Sequence, residues 1–164
     1  MRKMLFTFLL LTLPFYASAA TVTKETDTEA HLQYSYIFHL IQKANWDKSI
    51  ANGEVYYPPT YAQDGFTHAT ANPDYLLTIG NHFYKQTKGE WLLLKMTVAS
   101  LEETGVKTIF EGTAAVGDKQ PDFDGSKSEL FPHILGGIAP AAVLEVIKVE
   151  RSSSGEFLSI TWPE

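Results

Sequence analysis

Three of the five histidines, His39, His68 and His133, stand in or beside short apolar stretches of the chain. An imidazole donates or accepts a hydrogen bond, moves protons near neutral pH and binds metals. Ends of short strands and the turns beside them line clefts. The three imidazoles are therefore expected to meet around one hollow, joined there by the late carboxylate of Glu129. Such a set has three uses. Protonated, it holds an anionic phosphate; His133 can act as general acid–base; and neutral imidazoles with Glu129 as fourth ligand or base suit a divalent metal. The separations of 29 and 65 residues carry no metal-ligand signature.

Other candidates have plainer alternatives. Glu129 precedes the apolar pair Leu130-Phe131 and also reads as a solvated strand start. Gly136-Gly137 lets backbone N–H groups approach a ligand, or simply permits a turn. Tyr57, beside Pro58-Pro59, could stack on a ligand ring or cover the core. His82 shares a polar helical face with Thr78, Lys85 and Gln86 and reads as solvated, and His31 lies in a polar leader. The chain has no Gly-x-Ser-x-Gly elbow, no phosphate loop, no His-Glu-x-x-His and no dinucleotide fingerprint. Without cysteine, disulfides and thiolate chemistry are excluded.

Strands and helices must position these groups. Residues 36–41 are short and β-rich, a buried strand. A helix over 44–52 follows, with Trp46 and Ile50 four apart on one face and Gly53 as its stop. Residues 56–64, with two consecutive prolines, read as an extended loop, and 65–70 as a second strand. Asn72-Pro73-Asp74 is a helix start, a capping side chain followed by proline and an acid, and helical spacing continues to about Gln86. Residues 91–98 alternate as a central strand; 106–111 and 129–135 are further strands, separated by a polar loop over 117–128. Residues 143–151 and 157–162 form a terminal hairpin. This order predicts a single α+β domain with a mixed, split sheet and two main helices.

Two cations, Arg2 and Lys3, precede an apolar run to Tyr16 and the small residues Ala17-Ser18-Ala19. These are the parts of a secretory signal, and the run is shorter than the roughly 20 residues that span a bilayer. The expected organisation is a signal peptide over 1–19, a flexible leader over 20–33 and one domain over 34–164. The product is then periplasmic or secreted, with no stable membrane anchor after cleavage. Net charge is −6, so no basic stripe exists for nucleic acid. The expected partner is a small nucleotide-like or anionic ligand.

Several motifs occur in one order: Ile37-Phe38-His39, the Trp46 helix ending at Gly53, Tyr57-Pro58-Pro59, Asp64-Gly65-Phe66-Thr67-His68-Ala69-Thr70, and Glu129-Leu130-Phe131-Pro132-His133-Ile134-Leu135-Gly136. Together, from about residue 36 to 149, they resemble the bacterial domain-of-unknown-function family 952. That family is grouped with the ADP-ribosyltransferase superfamily, a split α+β fold holding NAD in a cleft. The resemblance implies NAD as substrate rather than resident cofactor. It implies that His39 holds the adenosine ribose and that His68-Ala69-Thr70 is the second-strand motif. Glu129 would accept a bond from the ribose 2′-hydroxyl and stabilise the cation as nicotinamide leaves. Lys127 stands where arginine-modifying members carry an acid or glutamine, so arginine is not the implied acceptor. His133 has no counterpart there. Three readings stay open: ADP-ribose transfer or glycohydrolysis, a non-catalytic small-ligand-binding domain, and a histidine-based metal site.

Overall fold

The computed structural model describes residues 33–163; the signal segment, His31 and nearly all of the leader lie outside them. The first strand, β1 (Ile37–Gln42), is buried almost throughout because it stands between two cores. Ile37 and Ile41 enter one core with Trp46, Leu94 and Ile134. Phe38 and Leu40 enter the other with Trp91, Leu93 and Phe157. Helix α1 (Lys43–Asn52) follows at once and ends at Gly53, whose φ of 65° takes the left-handed conformation that glycine adopts without strain. Its buried stripe is Trp46 with Ser49, while Ile50 is exposed. The stripe thus runs toward Ser49 rather than along the expected i,i+4 line.

The segment expected to be an extended loop holds a short helix, α2 (Tyr61–Asp64), ended by Gly65. A two-residue strand, β2 (Thr67–His68), comes next. The Asn72 start is realised as read: its side-chain oxygen accepts from the Asp74 N–H at 3.0 Å, with Pro73 at the first helical position. The winding then changes from a 3-10 turn through α3 (Leu76–Ile79) to a π turn at Gly80–Tyr84. Glycine is needed at that change of winding, because a Cβ on Gly80 would lie 2.7 Å from the Phe157 ring.

Strand β3 (Trp91–Met96) stops short of Val98. Thr97 instead caps helix α4 (Val98–Glu102): its hydroxyl accepts from the Ser100 N–H at 2.9 Å, and the Ser100 hydroxyl accepts from the Thr97 N–H at 3.0 Å. The remaining strands are β4 (Thr108–Glu111), β5 (Phe131–Ile134), β6 (Glu145–Arg151) and β7 (Phe157–Thr161). They form a four-stranded sheet ordered β1-β3-β6-β7 and a three-stranded sheet ordered β2-β5-β4.

Every pairing in both sheets is antiparallel, which corrects the expected mixed sheet. The strand-helix-strand order suggested a parallel crossover. The chain does not return to the first sheet after α1; β2 joins the second sheet instead, so no crossover is made. One isolated pair sutures the two sheets, with Phe38 N–H to Thr70 O at 2.8 Å and Thr70 N–H to Phe38 O at 2.9 Å.

At the far end, the Arg151 guanidinium donates to the carbonyls of Tyr84, Lys85, Thr87, Gly89 and Gly155. It also lies over the Phe157 ring at 4.5 Å. One cation thus gathers the end of the helical stretch, the approach to β3 and the β6–β7 turn. Arg151→Met keeps the bulk and removes the donors. It is expected to lower unfolding stability by about 2–4 kcal/mol, measured by urea denaturation; a change below about 0.5 kcal/mol would show the network to be dispensable.

Candidate functional site

The split between the sheets opens into a narrow hollow with a cavity volume of about 40 Å³. Strand β1 supplies Phe38, His39 and Leu40 to its lining; β2 and the residues after it supply His68 and Thr70; β5 supplies Phe131 and His133. Register explains why two of the histidines meet. His68 and His133 are directly paired across β2 and β5, so both point to the same face. Their ring centroids are 5.9 Å apart, nearly edge-on. His39 arrives from the other sheet, held beside them by the suture one residue away.

Each imidazole is fixed by an acceptor that cannot donate in return. His39 Nδ1 donates to the His68 carbonyl at 2.7 Å. His68 Nε2 donates to Asp64 Oδ2 at 3.0 Å, and the same carboxylate accepts from the Gly117 N–H at 3.0 Å. His133 Nδ1 donates to Glu111 Oε2 at 3.2 Å, with Phe66 stacked on the ring at a 4.0 Å centroid distance. These bonds settle the tautomers and leave His39 Nε2, His68 Nδ1 and His133 Nε2 as lone pairs. His39 Nε2 is buried and has no partner among the described residues.

Burial sets the charge. It pushes His39 down to about 4. It lowers His68 and His133 as well, outweighing the opposite pull of Asp64 and Glu111. The two histidine–carboxylate contacts have ion-pair spacing, yet desolvation leaves neutral imidazoles hydrogen-bonded to carboxylates.

Aromatic rings close the other sides. Phe83 and Tyr84 come from the helical stretch, and Phe123 from the long loop. Phe123 meets Phe83 at 74° and Phe131 at 89°, so the three rings make a corner. The loop is held by several polar contacts. His82 Nε2 donates to the Gln120 carbonyl at 2.7 Å and lies 3.3 Å from Asp122. Gln63 donates to Asp118 at 2.9 Å, and the Tyr75 and Ser128 hydroxyls meet at 2.7 Å. His82 is therefore a loop anchor, not the solvated histidine that its polar neighbours suggested.

The other expected site residues lie elsewhere. Glu129 does not line the hollow; it lines an adjoining open depression with Gly112, Thr113, Ser126 and Lys127, of which Thr113 also lines the hollow. Its Oε2 accepts from the Tyr34 hydroxyl at 3.1 Å and from Asn72 at 3.5 Å, while Oε1 is buried without a partner among the described residues. Tyr57 is half exposed and edge-on to Tyr61. Gly136 packs against Val106, and its carbonyl accepts from the Thr67 hydroxyl at 2.7 Å. Among the described residues no group of three or more histidine, aspartate or glutamate side chains is placed to hold a metal ion. Sequence reading missed the two carboxylates that orient the imidazoles. Asp64 had a usable signal, four residues before His68 within one motif; Glu111 had none.

Comparison with known proteins places the chain. The family model described as "Protein of unknown function (DUF952)" matches residues 40–146. The crystal structure of protein CC0527 from Caulobacter crescentus is 18% identical with a TM-score of 0.55, covering 75% of this chain and 93% of that one. A double mutant of the same protein gives 17% identity and the same TM-score and coverage. Its solution structure is 21% identical with a TM-score of 0.48, covering 74% and 90%. The crystal-structure likeness is one of fold alone. No curated protein matches the chain.

The neutral state of His39 makes stability depend on pH. Below the ordinary histidine value of 6.5 the unfolded chain takes up a proton that folded His39 refuses until about pH 4. Its contribution is complete above pH 6.5 and is lost as pH falls toward 4, on the order of 3 kcal/mol in all. His68 and His133 act in the same direction. His39→Asn keeps a donor near the Nδ1 position and removes the titration. Denaturant melts from pH 7 to 4 should therefore show a shallower loss in the variant; parallel curves would mean that His39 titrates normally.

Proposed function

The chain belongs to DUF952, a family of proteins of unknown function, and from that premise we propose that its hollow binds the nucleoside end of NAD or another ADP-ribose-type ligand. The observation that carries this reading is the convergence of three neutral, tautomer-fixed imidazoles with an aromatic corner. A nucleoside offers the complement, a flat ring for the aromatic walls and hydroxyl donors for the imidazole lone pairs. No lysine or arginine lines the hollow, so a pyrophosphate belongs outside it. The split between two antiparallel sheets agrees with an ADP-ribosyltransferase-like cleft, which we propose as the finer description of the fold.

The domain is read first as a binder. Glu129, the carboxylate assigned to the developing cation, lines an adjoining depression that shares Thr113 with the hollow. The catalytic alternative, ADP-ribose transfer or glycohydrolysis, rests on one contact, His133 with Glu111 behind it, an arrangement suited to general-base work. We also propose export: removal of residues 1–19 leaves a periplasmic or secreted domain. No described helix is long and apolar enough to cross a membrane.

Isothermal titration tests the binding reading. Adenosine, ADP-ribose and NAD should bind 1:1 and compete with one another, and His39→Asn should weaken all three by about tenfold, the value of one lost hydrogen bond. Absence of binding by all three overturns it. Nicotinamide release from NAD that His133→Gln abolishes would put the enzyme reading first. For export, N-terminal sequencing of protein from the envelope fraction should begin at Ala20; an intact Met1 in the cytoplasmic fraction would refute it.

A further inference from the structure

We propose that the hollow selects a small organic cation, an alkylated ammonium or pyridinium group, over an uncharged group of the same shape. The inference rests on the reading that the hollow is a ligand site, and it concerns the sign of charge that the site prefers. Three features of the lining point the same way.

The first is the set of fixed tautomers. The N–H of each imidazole is spent on a carbonyl or carboxylate, so the remaining nitrogens, His39 Nε2, His68 Nδ1 and His133 Nε2, can only accept. His39, buried to 4% exposure, leaves Nε2 without a partner among the described residues. None of the three rings that line the hollow can donate to an anion, whereas each retains an acceptor for a cation or for a donor attached to one.

The second is the aromatic corner. Phe83, Phe123 and Phe131 line the hollow, and their edge-to-face contacts at 74° and 89° set the rings in different planes. Aromatic faces attract a cation within about 6 Å, and the attraction grows where water is excluded.

The third is the charge just behind the lining. The carboxylates of Asp64 and Glu111 stand one hydrogen bond behind His68 and His133, and no lysine or arginine lines the hollow. Their field therefore reaches an occupant through neutral imidazoles and is not cancelled locally. Burial keeps the three rings uncharged at neutral pH, so they add no opposing charge. Desolvating a cation is costly, and these acceptors, faces and carboxylates together offset that cost.

The test compares choline with its uncharged isostere 3,3-dimethylbutan-1-ol by isothermal titration into the full chain at pH 7.5, with adenosine as a third probe. Choline should bind 1:1, compete with adenosine and bind at least about tenfold more tightly than the isostere. Equal or tighter binding of the isostere overturns the proposal. Adenosine binding without choline binding also overturns it, while leaving the nucleoside reading in place; failure of all three probes removes both. Glu111→Gln changes a side chain that is 59% exposed, so the fold should survive. It should lower the ratio of choline to isostere affinity by about two- to fivefold, as expected for one partly screened charge. An unchanged ratio would overturn the electrostatic account.

Discussion

The hollow lies where two antiparallel sheets, packed on a shared core, are tied by one backbone bridge among the described residues. The Phe38–Thr70 backbone pair is the isolated bridge between β1 and the residues after β2, and the His39–His68 bond lies beside it. On one side of this suture the strands diverge into separate sheets and leave a gap that neither fills. Everything attributed to the site follows from that divergence. His39 belongs to the first sheet, His68 and His133 to the second, and the suture, the His39–His68 bond and the shared core bring them to one hollow. The backbone groups it satisfies would otherwise be buried donors and acceptors without partners, and these are costly. The same bonds therefore hold the sheets together and set the width of the cleft.

A second constraint is the contest between burial and charge. Two imidazoles have carboxylate partners at hydrogen-bond distance, an arrangement that in water would favour imidazolium. Desolvation reverses the outcome and the rings stay neutral. The carboxylates serve instead to orient the rings: each takes the N–H and turns the other nitrogen into an acceptor. Polar groups that would be a liability in an apolar core become a defined hydrogen-bonding surface once their donors are spent. His39 Nε2 is buried and has no partner among the described residues, and a buried polar atom left in this way invites a ligand to complete it.

Local signals in the sequence were strong where the chain obeys local rules. The Asn72-Pro73-Asp74 start, the Gly53 stop and the terminal hairpin depend on neighbours in sequence, and all three appear in the structure. The placing of His39, His68 and His133 in apolar strands was equally legible, since a histidine among β-branched and aromatic residues must face a core or a cleft. Sheet membership was not legible. Whether β2 returns beside β1 or founds a second sheet depends on long-range pairing, and the order of elements is the same in both cases. Glu129 illustrates the same limit. Its apolar neighbours marked a strand entry, but strand register decides which side chains share a cleft; register sets Glu111 opposite Phe131, on the diagonal from which its carboxylate reaches His133. Val98 was misassigned for a local reason, because alternation ran on past Met96 and concealed the Thr97–Ser100 capping box.

The long loop ties these constraints together. Asp64 accepts from His68 with one edge of its carboxylate and from the Gly117 N–H of the loop as well, so loop position and histidine orientation share one group. Gln63 and His82 hold the loop at two further points, and Phe123 in that loop completes the aromatic corner. The lining of the hollow is therefore not a surface of the sheets alone. It is assembled when the loop docks, and docking and ring orientation are satisfied by the same carboxylate. A change that frees Gly117 leaves Asp64 with an unfilled lone pair next to His68, and a change that removes Asp64 releases both at once. Sites of this kind gain definition from shared hydrogen bonds and lose it together.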